Sequence, residues 1–316
     1  MILLLESLHS EAERLLADVA PVVRAQEPNT PPEDLGEVQA ILTRGRGRIP
    51  EALMARCPRL QVVARAGAGL DNVDTAAAAR RGLPVVFAPG ANTDTVAEHT
   101  LALILDLSRG ISRSARSVRA GRWEERAHYR GEELAGRTLG IVGFGSIGQR
   151  VARLAEAFGM RVLVAEHTER PEAASVAAAG PERIALHSLL AMADVVTLHL
   201  PATPATRGLI GAAELACMQP SALLVNTARG ALIDGAALRE ALAAGRLGGF
   251  AADVLDGEPP AADDPLLARD DVVLTPHVAS LTSATYRRLC VSTAQNVAKV
   301  LRGEPVDSRA LFGRRA

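Results

Sequence analysis

Residues able to do chemistry fall into three groups. The first is a glycine set, Gly143, Gly145 and Gly148, within Thr138-Leu-Gly-Ile-Val-Gly-Phe-Gly-Ser-Ile-Gly148. A glycine turn between an apolar run and a helical pattern lets the backbone approach a pyrophosphate, and free N–H groups at the helix start face the anion. Glu166 follows about 20 residues further on, where an acid accepts from ribose hydroxyls. The second is His277, stiffened by Pro276 and followed by the small Ala279 and Ser280. Imidazole gains and loses a proton near neutral pH. The third is a pair, Arg229 in a small-residue loop and Glu258 between Gly257 and Pro259. Guanidinium suits a carboxylate or carbonyl oxygen; a carboxylate beside His277 would hold its tautomer. Taken singly, each has a plainer reading: a structural turn, a core histidine, a surface ion pair, a loop acid.

The elements that must bring these residues together are legible from periodicity. Residues 139–142 and 161–165 read as buried strands, and Ile147, Val151, Leu154, Ala155 and Phe158 share one helical face between them. Further strands are expected at 195–200, 223–227, 250–254 and 272–274, with a helix over 234–244 capped by Asp234. At the carboxyl ends of these strands stand Gly143, Glu166, His199, Asn226 to Arg229, Asp253 and Thr275 to His277. Ligands of open α/β sheets bind outside those ends, so the polar residues converge where a dinucleotide would lie.

Residues 1–90 alternate apolar runs (2–5, 22–23, 38–42, 62–64, 85–87) with helical stretches such as 10–19 and 74–81. This predicts a smaller, mainly parallel α/β unit. The glycine-rich turn after 62–64 is either a plain turn or a nest for a carboxylate. A capping-box pattern, Thr95-Val-Ala-Glu98, is expected to open a long helix through Leu107. The polar, arginine-rich 109–133 is a solvated segment, a subunit contact or the edge of an anionic-substrate site. A last helix over 284–301 should return to the first unit.

Composition narrows the function class. A length of 316 residues suits two domains. A net charge of −1 gives no general attraction to nucleic acid or membrane. Cys57, Cys217 and Cys290 are scattered and odd in number, which argues against a disulfide framework or a metal site and fits a reducing cytoplasm. The apolar start meets Glu6 too early for a signal peptide, and no run approaches a membrane span. Lys299 is the only lysine, which removes a P-loop and nearly every Schiff-base mechanism.

The set Arg65-Ala-Gly-Ala-Gly-Leu-Asp-Asn-Val-Asp74, Val96-Ala-Glu-His99, Leu139 to Gly148, Asn226-Thr-Ala-Arg-Gly230, Asp253-Val-Leu-Asp-Gly-Glu-Pro259 and Thr275-Pro-His277 resembles the D-isomer-specific 2-hydroxyacid dehydrogenases over nearly the whole chain. The resemblance implies two doubly wound parallel-sheet α/β domains: a Rossmann-type NAD domain at 99–286 and a smaller flavodoxin-like substrate domain built from 1–98 and 287–316. It implies a catalytic trio of Arg229, Glu258 and His277. NAD would be lined by Gly143, Gly145, Ser146, Ile147, Gly148, Glu166, Leu200, Thr227, Ala228, Asp253, Ala279 and Ser280. Ala68 and Gly69 would meet the substrate, with Arg44 and Arg65 nearby as in the 3-phosphoglycerate dehydrogenase branch. Glu166 favours NAD over NADP, although Arg170 lies close enough in sequence to receive a 2′-phosphate. A homodimer is implied, and no metal. Glyoxylate/hydroxypyruvate reductase is the neighbouring activity within the family. A non-enzymatic, NAD-sensing corepressor-like protein is the alternative outside it.

Overall fold

The computed structural model describes residues 1–165 and 180–313. The chain divides into two compact units, Met1–Asn92 with Ser280–Ala316, and Thr93–Ala279. The sequence expectation set these divisions at 98/99 and 286/287. They fall at 92/93 and 279/280 because each connecting helix belongs whole to one unit.

In the first unit, β1 (Ile2–Leu4), β2 (Val22–Arg24), β3 (Ala40–Thr43), β4 (Val62–Arg65) and β5 (Val85–Val86) form a parallel sheet in the order β2-β1-β3-β4-β5. This is the flavodoxin-like order, with its reversal between β1 and β3. Apolar β1 and β3 are buried throughout, as strands covered on both faces must be. One face packs on α1 (Ser10–Ala17) and on the C-terminal helix, α10 (Ser283–Leu301), through Leu16, Cys290 and Val297. The other packs on α2 (Glu51–Ala55) and α3 (Thr75–Arg80). Val38, read as the start of a strand, is buried but precedes β3.

The second unit starts with α4 (Thr93–Arg109), which begins two residues before the Thr95 of the capping pattern, so Thr95 lies buried inside its first turn. α5 (Ile111–Arg119) and a short 3₁₀ turn carry the polar 109–133 segment. Next come β6 (Thr138–Val142), α6 (Ser146–Ala157), β7 (Arg161–Ala165), β8 (Glu182–Arg183), α7 (Leu186–Met192), β9 (Val195–Leu198), α8 (Ala212–Cys217), β10 (Leu223–Asn226), α9 (Gly235–Ala243), β11 (Gly249–Ala252) and β12 (Val272–Leu274). The parallel sheet runs β12-β11-β10-β9-β6-β7-β8, a Rossmann order whose reversal falls between β6 and β9. Asp234 caps α9 by accepting from Ala236 and Ala237 N–H. Among the described residues Phe250 is the largest fully buried side chain, its burial contributing about 2–3 kcal/mol.

Candidate active site

The site builds outward from the β6–α6 turn. Gly143 has φ 94°, and a Cβ there would lie 2.7 Å from the His199 carbonyl oxygen and from Leu200 Cδ2. Glycine is therefore required where the chain leaves β6 against the loop after β9. A Cβ on Gly148 would lie 2.3 Å from the Gly143 carbonyl oxygen, so the third glycine lets the helix close onto the turn. Gly145 differs: a Cβ there meets no protein atom within 4 Å. It is the N-cap of α6 and has no side chain to cap the first N–H groups, and both it and Ser146 are exposed. Open space, uncapped donors and the positive end of a helix dipole make this cradle fit a pyrophosphate. Ile147 packs inward on the core beside it. Glu166 and Arg170, on which the choice between NAD and NADP turned, lie outside the described residues.

His199, at the end of β9, bonds Thr197 Oγ1 at 3.1 Å, and desolvation pushes its imidazole down to about 3. It is therefore neutral beside the cradle.

The β10 loop carries Arg229. Fully buried Asn226 braces it from both sides, donating from Nδ2 to the Arg229 carbonyl (2.8 Å) and accepting at Oδ1 from Ala228 N–H (3.0 Å). Arg229 Nη1 donates to the Ala228 carbonyl at 2.6 Å. A Cβ on Gly230 would strike the Leu255 carbonyl carbon at 1.9 Å, so the Arg229 loop lies directly on the segment leading to Glu258.

Glu258 and His277 meet. Glu258 Oε2 is 2.8 Å from His277 Nδ1, while Oε1 accepts from Leu255 N–H at 3.0 Å. A carboxylate only accepts, so Nδ1 carries the hydrogen and Nε2 is left for proton exchange. His277 is half exposed at 51%. Its backbone is left-handed, φ 56°, the only such non-glycine among the described residues. Strain of this kind costs about 1–3 kcal/mol and gathers at functional sites.

Asp253, expected to line the cofactor, has both oxygens engaged by protein. Oδ1 accepts from Thr275 Oγ1 (2.5 Å) and Val278 N–H (2.8 Å), and Oδ2 from Ala279 N–H (2.8 Å). It holds the histidine loop. Thr227 is buried, bonded to Thr100, and Ala228 is half-buried beside it. Ser280 opens the returning segment of the first unit. Among the described residues, no cluster of His, Cys, Asp and Glu is arranged to hold a metal ion.

The remaining residues belong to the first unit. Ala68 and Gly69 lie half-buried in the loop after β4. Arg65 is engaged there as a brace: its Nε donates to the Arg44 carbonyl at 2.9 Å and Nη1 lies 3.4 Å from Asp71 Oδ2. Arg44 itself lies over the Tyr286 ring, 5.1 Å from its centroid. With Arg24 and Arg46 it lines a cavity of about 240 Å³. Sequence reasoning did not single out Arg46 or Glu6. Glu6 Oε2 accepts from the consecutive N–H groups of Arg44, Gly45, Arg46 and Gly47 at 2.7–3.0 Å. Burial opposes its charge, but these donors outweigh burial and hold the carboxyl down to about 2. The alternation Arg-Gly-Arg-Gly was the available signal for such a nest.

The family model for D-isomer specific 2-hydroxyacid dehydrogenase, NAD binding domain, matches residues 101–279. This chain belongs to the D-isomer-specific 2-hydroxyacid dehydrogenase family. NAD is the cofactor of the matched domain, and the Gly143–Gly148 cradle fits it. A D-3-phosphoglycerate dehydrogenase from Archaeoglobus fulgidus is 38% identical over 86% of this chain and 51% of its own length. A glyoxylate reductase from Aeropyrum pernix is 40% identical over 85% of this chain and 81% of its own. A solved structure of a Thermus thermophilus protein matches with a TM-score of 0.86 at 36% identity, covering 96% of this chain and 97% of that one. The chain spans about half the length of the phosphoglycerate dehydrogenases it resembles.

Proposed function

We propose that this chain is an NAD-dependent D-2-hydroxyacid dehydrogenase. The observation that carries the reading is the His277–Glu258 pair at 2.8 Å, on the carboxyl edge of the sheet that holds the glycine cradle. When bound, the nicotinamide supplies a hydride acceptor, or in reverse a donor, for C2 of the substrate. In oxidation His277 Nε2 takes the C2 hydroxyl proton, and in reduction it returns that proton to the oxygen. Glu258 keeps Nδ1 protonated and stabilises the imidazolium that forms. Arg229 orients the acid and offsets the negative charge that grows on the C2 oxygen during reduction.

The test is an NADH oxidation assay on 2-keto acids. His277→Ala should lower kcat by roughly 10²–10⁴-fold while NADH still binds. Binding of NADH with no turnover of any acid in a broad panel would sink the enzyme reading and favour the NAD-sensing protein.

For the substrate, Arg44, over Tyr286 in a small cavity lined also by Arg24, Arg46, Glu6 and Glu27, supports a phosphorylated acid such as 3-phosphoglycerate over glyoxylate or hydroxypyruvate. Arg44→Gln should then raise KM for 3-phosphoglycerate far more than for glyoxylate; equal losses would count against it. A homodimer is supported by Ile111, Val118, Trp123 and Tyr129, large side chains left 41–63% exposed along α5 and the following turn. Three unpaired cysteines support a reducing, cytoplasmic setting. No helix among the described residues is long and apolar enough to cross a membrane.

A further inference from the structure

His99 and Thr100 sit side by side on α4, remote in sequence from the catalytic trio. Each reaches a different loop at the carboxyl edge of the sheet. His99 Nε2 lies 3.0 Å from Thr275 Oγ1, and Thr100 Oγ1 lies 2.8 Å from Thr227 Oγ1. Thr275 stands two residues before His277 and Thr227 two residues before Arg229.

The directions of these bonds follow from counting protons. Asp253 only accepts, so the single Thr275 hydroxyl proton goes to Asp253 Oδ1 at 2.5 Å. The Thr275 oxygen must then accept from His99, which places a hydrogen on Nε2. His99 Nε2 also lies 3.6 Å from Asp253 Oδ1, beyond hydrogen-bond distance. Likewise the Thr100 proton goes to the Val96 carbonyl at 2.8 Å, so Thr227 donates to Thr100. Asp253 closes the frame on the histidine: its carbonyl accepts from His277 N–H at 2.9 Å, and its carboxylate from Val278 and Ala279 N–H.

This frame answers a physical need. His277 holds φ 56°, a conformation a histidine loop keeps only when its surroundings over-determine it. Asp253 is 2% exposed, Thr227 8% and Thr100 0%, so a missing partner there leaves an unsatisfied buried group.

We propose that His99 is a positioning residue that fixes the His277 loop through Thr275 and Asp253, with Thr100 doing the same for the Arg229 loop through Thr227. The assignment rests on the reading that His277 exchanges the substrate proton. The chain Nε2–H, Oγ1–H, carboxylate, backbone N–H carries the register of α4 to the imidazole without His99 touching the reaction.

The experiment compares His99→Leu, His99→Gln, Thr275→Val, Thr275→Ser and the double variant His99→Leu/Thr275→Val in the full chain. His99→Leu and Thr275→Val should each lower kcat by about 10–100-fold, the scale of a small misplacement, with KM and the NADH Kd nearly unchanged. Gln and Ser, which restore the donor or the hydroxyl, should recover most of the rate. The double variant should be no worse than the poorer single, because both break one chain. Amide hydrogen exchange supplies a readout free of turnover: His277 and Val278 N–H should be protected in the parent and lose protection in His99→Leu. Multiplying losses, an unchanged kcat or unchanged protection would each overturn the proposal. If His99→Leu fails to fold, the Gln, Ser and Val variants decide by the same measures. A parent that turns over no 2-keto acid would defeat the functional reading, while hydrogen exchange would still decide whether His99 holds the loop.

Discussion

The two units share a device and use it in opposite ways. Each is a doubly wound parallel sheet, and each places glycines where its strand order reverses. That geometry gathers backbone N–H groups outside the strand ends. In the second unit, the donors at Gly145 and the start of α6 face open space. In the first unit, the reversal lies between β1 and β3, and the donors of residues 44–47 close around the protein's own Glu6. Topology makes an anion site at both places. A single side chain determines whether that site receives a ligand or becomes part of the core.

The largest effect expected from breaking this contrast is at Gly145. Gly145→Asp would put a carboxylate into the open cradle, and NADH affinity should fall on the order of 10³-fold, about 4 kcal/mol, with Tm almost unchanged. Titration calorimetry and a thermal melt on the same sample separate the two quantities. A large fall in Tm with affinity kept would mean that the cradle is structural.

Glu6→Gln makes the corresponding change in the first unit. The carboxyl is lowered from 4.5 to about 2, so the charged form contributes about 3 kcal/mol. The sign follows from proton binding: the unfolded state takes up the proton first, so this stability is present above pH 4.5 and is lost as pH falls towards 2. Glu6→Gln should therefore be less stable at pH 7 and flatter than the parent between pH 4.5 and 2 in denaturant titrations. Glu6→Gly would make the nest resemble the cradle. Added formate should then raise the variant's Tm and leave the parent's unchanged; without that rescue the nest is not an anion site.

The smallest expected effect is at Gly45. Like Gly145, it has open space where a Cβ would stand, but its N–H is already satisfied by Glu6 at 2.7 Å. Gly45→Ala should change stability by no more than about 0.5 kcal/mol and leave the NADH Kd unchanged. A loss of NADH affinity comparable to that of Gly145→Asp would erase the distinction between the two turns.

Much of the scaffold could be read along the chain, because buried parallel strands are continuous apolar runs and helices carry a 3.6-residue stripe. Strand starts at Ile2, Val22, Val62 and Val272 agree with those expectations. The apolar runs reach Leu200 and Val254, two residues past the strand ends at Leu198 and Ala252, since apolar residues continue into loops that pack on the core. The helix start at Thr93 escaped because the Thr95–Glu98 pattern imitates a cap inside the first turn. Short elements such as α2 and β8 carry too few residues for a period to register.

Residue types and their order along the chain determined the fold class, the glycine cradle and the set of candidate side chains, because each depends on local spacing. Tertiary structure decided what each polar group does, because a hydrogen bond depends on who else arrives. Asp253 and Arg65 looked alike as site residues until the fold set one to hold the His277 loop and the other to brace Arg44. His99 and Glu6 gave no local sign of their partners, which are separated from them by 176 residues at Thr275 and by 38–41 residues at 44–47. Only the folded chain brings those donors and acceptors within 3 Å.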